Sequence, residues 1–180
     1  MTPGAAATTR GGLPREAKSV LVPDDLDAPV ALIDVKDLAA WIAHCIDQQI
    51  LGTFNATGPT ITLGEALASA RRSAASEVAM TPVAPELLLE AGVNPWMGPE
   101  SLPWWIPHPE MRYSSTANSK RSRAHGLTTR PLEETLADAL EYECSRGGPL
   151  GSDPRGASSD ASTISSGLSF ETERRIRRRL

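Results

Sequence analysis

Apolar positions along the chain change between short runs and helical spacings. Residues 20–22 and 30–33 are short apolar runs bounded by polar residues or proline, a pattern typical of strands. From Asp34 the apolar positions recur every three or four residues, which predicts an amphipathic helix. Asp34 and Asp37 are expected to bond the free amides of its first turn. The apolar positions of this helix are Leu38, Trp41, Ile42, Cys45 and Ile46.

The alternation of strand and helix patterns continues to residue 91. Residues 53–57 and 78–83 predict strands. Thr62 and Glu65 have capping-box spacing at the start of a second helix, and residues 85–91 predict a short helix with proline in its first turn. The sequence therefore predicts an α/β fold with few short strands and packed helices.

A loop rich in tryptophan and proline follows between residues 92 and 111. Proline has no amide hydrogen, so five prolines in twenty residues exclude a long regular element. Helices are predicted again at about residues 116–125 and 131–144. The apolar face of the second contains Leu132, Leu136, Ala139, Leu140 and Cys144.

Composition divides the chain into four parts. Residues 1–19 are predicted to be a disordered lead-in, residues 20–146 the folded region, and residues 147–169, rich in Gly, Pro, Ser and Asp, a disordered linker. Residues 170–180 predict a short basic helix with five arginines among the last seven positions. Packing is expected to end near Cys144. The arginine-rich end is interpreted as solvated, with binding to anionic lipid or RNA as the alternative.

Charge and cysteine content exclude several classes of protein. A formal net charge of −4 argues against nucleic acid as a partner. Cys45 and Cys144 are too few and too far apart for a disulfide framework or a zinc site, and His44, His108 and His125 are too scattered to indicate a metal site. No apolar stretch is long enough to span a membrane or to act as a signal peptide. The protein is therefore predicted to be cytoplasmic.

Several segments together resemble a known family. They are residues 31–41, 52–59, 62–65, 118–120 and 126–135, with the tryptophans of the loop between them. Their order and spacing, over residues 20–146, resemble the carboxy-terminal half of extended short-chain dehydrogenase/reductases, the NAD-dependent epimerase/dehydratase family, particularly actinobacterial-type reductases. The resemblance implies an incomplete carboxy-terminal portion of that α/β fold.

The parts of that family that carry its chemistry do not occur in this sequence. Its amino-terminal half supplies a Gly-x-x-Gly-x-x-Gly turn for the dinucleotide and a Tyr-x-x-x-Lys pair. Here Tyr113 is followed four places on by Ala117, and Tyr142 by Arg146. Without a pocket for the dinucleotide nothing positions the nicotinamide. The resemblance thus implies no catalytic and no cofactor-binding residues in this chain, and NAD(P) only if the missing half is supplied.

The resemblance also implies that part of this chain corresponds to the wall of the family's substrate site. It places the tryptophan-proline loop where extended reductases line their substrate site, which makes Trp96, Trp104 and Trp105 candidate substrate-binding residues. Arg112, just after that loop, is a fourth candidate. The alternative is that the rings cover the core and that Arg112 is solvated. No metal ligands are predicted.

Residues 53–57 resemble a late strand of the family's main sheet, whose neighbours come from the missing half. An exposed strand edge recruits other strands, so we expect either self-association or a partner chain that covers this edge. The leading interpretation is a truncated reductase/epimerase-like protein without independent activity. The alternatives are a non-catalytic binding or interaction module, and a fragment of an intact NAD(P)-dependent oxidoreductase with a misplaced start.

Overall fold

A computed structural model describes residues 19–145 and 167–180. The predicted lead-in, except Ser19, and residues 147–166 of the predicted linker lie outside the described residues. The strands are β1 (Ser19–Pro23), β2 (Pro29–Ala31), β3 (Thr60–Thr62), β4 (Ala79–Val83), β5 (Asn94–Pro95) and β6 (Ser101–Leu102). The helices are α1 (Val35–Asp47), α2 (Leu63–Ser73), α3 (Pro85–Glu90), α4 (Lys120–Ala124), α5 (Leu132–Ser145) and α6 (Phe170–Arg177), with a 3-10 helix at Pro109–Met111.

The described strands form three separate pairs. β1 pairs with β4 in parallel, with Ser19 opposite Ala79 and Pro23 opposite Val83. β2 pairs antiparallel with β3, and β5 pairs in parallel with β6. The predicted α/β class is confirmed, but no sheet in the described part of the chain has more than two strands.

The first two helices begin at the predicted residues. Asp34 caps α1, because its Oδ1 accepts a hydrogen bond from the amide of Lys36 at 2.7 Å. At α2 the amide of Glu65 donates to Thr62 Oγ1 at 3.1 Å, and the amide of Thr62 donates to Glu65 Oε2 at 2.8 Å. This is the predicted capping box, which satisfies amides that have no partner within the helix.

Residues 53–57 are not a strand, so this prediction is wrong. None of their five backbone amides donates a hydrogen bond to another described residue. Two of their carbonyls accept from side chains of α4: Thr53 from Arg121 Nη1 at 3.2 Å, and Asn55 from the Ser122 hydroxyl. A strand requires a neighbouring strand to bond its amides, and no described strand pairs with this segment.

Two further elements are shorter than predicted. β2 ends at Ala31 rather than Ile33, where the antiparallel register with β3 ends. α4 begins at Lys120 rather than near Thr116, because a turn in which the amide of Thr116 donates to the Tyr113 carbonyl precedes it. The tryptophan-proline loop contains no element longer than three residues, as its prolines predict.

Two hydrophobic clusters form the core. The first contains Leu21, Val83, Leu88, Ala91, Val93, Trp105 and Ile176. The second contains Val30, Leu63 and Ala66, with Trp104 and Leu132 packed against them. Trp104 and Trp105 are consecutive but enter different clusters, and Trp104 has a φ of 64°. A left-handed backbone costs a non-glycine residue about 1 kcal/mol or more, so burial of the two rings must offset that cost.

α6 belongs to the folded core, so the prediction that packing ends near Cys144 is wrong. Ile176 is fully buried in the first cluster, and Leu168, near the end of the predicted linker, packs against the same cluster. Arg177 donates to the Ser19 carbonyl at 2.6 Å, which joins α6 to β1. Arg175 donates to the carbonyl of Ala91, just after α3.

The terminal arginines therefore differ in role. The interpretation of a solvated end is wrong for Arg175 and Arg177, which hold α6 in place, and Arg179 pairs with Glu90. Arg174 and Arg178 are exposed and have no carboxylate partner among the described residues.

α1 buries only one of its predicted apolar residues, Trp41. Much of the helix surface is exposed and apolar, with Val35 at 75%, Ile42 at 52% and Ile46 at 72% exposure. Residues three or four positions apart share one helix face. We call this face the α1 stripe; it consists of Val35, Ala39, Ile42, Ala43 and Ile46. None of the described helices is both long and apolar enough to cross a membrane.

We expect Ile176→Ala to destabilise the protein by about 2 to 5 kcal/mol, because it removes buried methyl groups and leaves a cavity. The measurement is the free energy of unfolding in urea. Leu180→Ala is the control, because Leu180 is 61% exposed and its truncation should change stability little. Equal, small effects of the two substitutions would show that α6 does not pack against the core.

Candidate functional site

The three candidate tryptophans lie in different surroundings. Trp105 is 2% exposed, and its Nε1 is buried without a hydrogen-bond partner among the described residues. Trp104 is half-buried against the second cluster, and Trp96 lies on the surface with 41% exposure. This placement favours the core-covering interpretation for Trp104 and Trp105, and leaves Trp96 as the ring of the three that is most available to a ligand.

Arg112, the fourth candidate, holds the end of the loop against the turn between β1 and β2. Its Nη1 lies 2.9 Å from Asp25 Oδ1 and 2.7 Å from Asp25 Oδ2. The side-chain hydrogen bond to Asp25 raises the pKa of Arg112 above its ordinary value. Both side chains are about one-third exposed. Pairing with Asp25 is a role of Arg112 that neither sequence interpretation included.

The described residues form a partly open cavity elsewhere, with a volume of about 370 Å³, and none of the four candidates lines it. This volume is within the range of small-molecule sites. The apolar part of its wall consists of Leu32, Pro59, Ile61, Pro131 and Leu132. Gly58 precedes Pro59 and is required there, because a Cβ at this position would overlap the Leu32 carbonyl oxygen.

Arg130 and Asp37 lie in the polar part of the cavity wall, which also includes Asp34, Thr129 and Thr135. The Arg130 amide donates to Asp37 Oδ2 at 2.8 Å, while its Nε and Nη2 donate to Asp37 Oδ1 at 2.9 and 2.8 Å. Asp34 Oδ2 lies 3.6 Å from Arg130 Nε. Asp138 lies 3.5 Å from Arg130 Nη1 and accepts from Lys36 Nζ at 2.6 Å.

This arrangement corrects the interpretation of Asp37. Asp34 caps α1 as predicted, but both Asp37 oxygens bond Arg130, 93 positions away, instead of free helix amides. Both guanidinium donors of Arg130 meet Asp37 Oδ1 while the Arg130 amide meets Oδ2, so three charge-assisted hydrogen bonds fix the start of α1 against the segment that leads into α5.

The electrostatics of the network favour binding over proton transfer. The side-chain hydrogen bond from Arg130 lowers the pKa of Asp37, and the bond from Lys36 lowers the pKa of Asp138. The bond to Asp37 raises the pKa of Arg130. A general acid or base needs a pKa near the working pH, whereas these shifts keep both carboxylates ionised and the guanidinium protonated.

The structure brings together two of the three histidines. His44 Nε2 lies 2.9 Å from the His125 carbonyl, and His125 Nδ1 lies 2.7 Å from the Arg121 carbonyl. Phe54 packs edge-on against Trp41 and His125. The His44 ring therefore joins α1 to the end of α4, and the Phe54 ring joins the segment after α1 to both. Within residues 19–145 and 167–180 no three His, Cys, Asp or Glu side chains are placed to hold a metal ion.

Arg130 is the site residue that sequence reasoning missed. It lies just before α5 in a Thr-Arg-Pro sequence, and no local pattern connects it with α1. The available signal was indirect: Asp37 follows a residue that already caps the helix, which leaves its carboxylate free for a distant cation.

We expect Asp37→Asn to lower the thermal midpoint at pH 6 and to reduce the loss of stability on acidification. The pKa of Asp37 is lowered in the folded state, so its contribution is complete above the unfolded value of about 4 and is lost as pH falls through the lower folded value. Circular dichroism melts at pH 6 and pH 3 measure this. Asp24→Asn is the control, because Asp24 has no ion-pair partner among the described residues. A gap between wild type and Asp37→Asn that is equally large at pH 3 and pH 6 would contradict the assignment.

Comparisons with protein-family models, with curated proteins and with solved structures find no match to this chain. The resemblance to the epimerase/dehydratase family therefore rests on the sequence segments quoted above.

Proposed function

We propose that this chain is a truncated reductase/epimerase-like protein of the cytoplasm, which retains a substrate-side region and has no catalytic activity of its own. The observation that carries the proposal is the unpaired segment at residues 53–57. It has the length of a strand, and its five amides have no acceptor among the described residues.

The parallel pair β1–β4 supports the same proposal. Parallel strands occur almost always in larger sheets covered on both faces, and two strands are seldom enough for stability. Here each strand of the pair has an outer edge that no described strand occupies. Such edges fit a portion of a larger sheet, which another polypeptide or a second copy completes.

The cavity beside Arg130 agrees with a substrate-side role. Its wall combines apolar residues with one guanidinium, two carboxylates and two threonines, and binding pockets commonly combine an apolar lining with a few polar groups that orient a ligand. The carboxylates around Arg130 are ion-paired, which suits them to shaping a pocket and not to proton transfer. In this proposal NAD(P) participates only when another polypeptide supplies the dinucleotide turn.

The alternative of an interaction module has its own support in the exposed α1 stripe. The two proposals overlap, because both require a surface that another chain covers. They differ in the role of the cavity, which binds a small molecule in the reductase-like proposal and has no such role in the interaction module.

We expect the isolated chain to give no saturable enhancement of NADPH or NADH fluorescence and no oxidoreductase turnover. A glycine-rich turn that cradles the pyrophosphate is absent from the sequence, so the dinucleotide has no site. An intact reductase of the resembled family, titrated in the same buffer, is the positive control. Saturable cofactor binding by the isolated chain would refute the proposal. A glycine-rich turn encoded in frame upstream of Met1 would instead favour the misplaced start.

A further inference from the structure

We infer that two copies of this chain associate through the α1 stripe, with their α1 helices packed antiparallel about a twofold axis. The inference rests on the proposed function, because a chain without its missing half has surfaces left to cover. Val35, Ile42 and Ile46 are more than half exposed, and Ala39 and Ala43 beside them are exposed too. Contiguous exposed apolar surface of this kind marks interaction sites.

The order of large and small residues along the stripe suits an antiparallel pair. With the twofold axis between residues 39 and 42, Val35 of one copy lies opposite Ile46 of the second copy. Ile42 then lies opposite Ala39. Each large side chain of the central pair meets a small one, so the two helices can approach closely and interdigitate.

Charges beside the stripe select the same orientation. Lys36 and Asp47 are 11 residues apart, about three helical turns, so they lie on the same flank of α1. In the antiparallel pair each Lys36 is brought near Asp47 of the second copy, twice per dimer. In a parallel pair this flank of one helix lies on the opposite side of the interface from the same flank of the other, so Lys36 and Asp47 do not meet.

Both charged groups are exposed enough to make this contact. Asp47 is exposed and has no ion-pair partner among the described residues. Lys36 is paired with Asp138, but its side chain is 63% exposed, so its amino group can reach a second carboxylate. Arg130 also lies near Asp138 and remains there when Lys36 moves.

The small size of the interface determines how tightly the two copies are expected to bind. One helix face per copy falls at the low end of specific protein interfaces, where association is weak and reversible. We therefore expect a dimer that dissociates in the micromolar range.

Sedimentation velocity of the full chain across about 1 to 300 μM tests the inference. The weight-average mass is expected to rise from 19.2 kDa toward twice that value. Ile42→Asp is expected to weaken the dimer about 30-fold or more, because it places a charge in the centre of the interface. Leu89→Asp is the matched control: Leu89 is 49% exposed on α3, outside the stripe, and its replacement should leave the dissociation constant unchanged.

A charge-reversal cycle separates this interface from other modes of association. Lys36→Glu and Asp47→Lys are each expected to weaken the dimer about three- to tenfold, since each touches two surface pairs. The double substitution is expected to restore the wild-type dissociation constant to within about threefold. Both positions are exposed, so the cycle remains informative if Ile42→Asp fails to fold.

A monomer at every concentration would overturn the inference, as would a dimer that Ile42→Asp and the charge reversals leave intact. Either result leaves the proposed function standing, because cofactor binding and turnover test that proposal separately.

Discussion

A parallel pair of strands cannot bury its own two faces, so other elements must pack against them. The rest of this structure depends on which elements pack against β1 and β4. Parallel strands need a crossover between them and packing against both faces. The chain supplies part of this cover from its own end, since Ile176 of α6 is buried against the residues of β1, β4 and α3. Leu168, just before α6, packs against the same cluster.

Two consecutive tryptophans connect the two core clusters through a backbone with a positive φ. Trp105 completes the first cluster and Trp104 packs against the second, and the left-handed backbone at Trp104 allows neighbouring rings to separate in this way. Separately, the three hydrogen bonds between Arg130 and Asp37 fix α1 to the segment before α5. The cavity lies beside this pair, so the contacts that stabilise the fold also shape the candidate site.

Local signals made parts of the fold predictable. The caps at Asp34 and Thr62, the prolines of the loop and the helical periods of α1, α2 and α5 each depend on residues a few positions apart. The hydrogen bonds that pair Arg130 with Asp37, and those by which Arg175 and Arg177 dock α6 on other elements, join residues 84 or more positions apart, which no local pattern contains. The strand prediction for residues 53–57 was wrong for another reason. These residues have the composition of a strand, but no described strand pairs with them.

The central claim is that residues 53–57, which do not form a strand here, have no strand partner among the described residues. Hydrogen–deuterium exchange of the isolated chain tests it directly, because the exchange rate of an amide reports whether it is hydrogen-bonded. We expect peptides covering residues 53–57 to exchange at close to the intrinsic rate, while peptides from β1 and α2 are protected. Protection of residues 53–57 equal to that of β1 would contradict it.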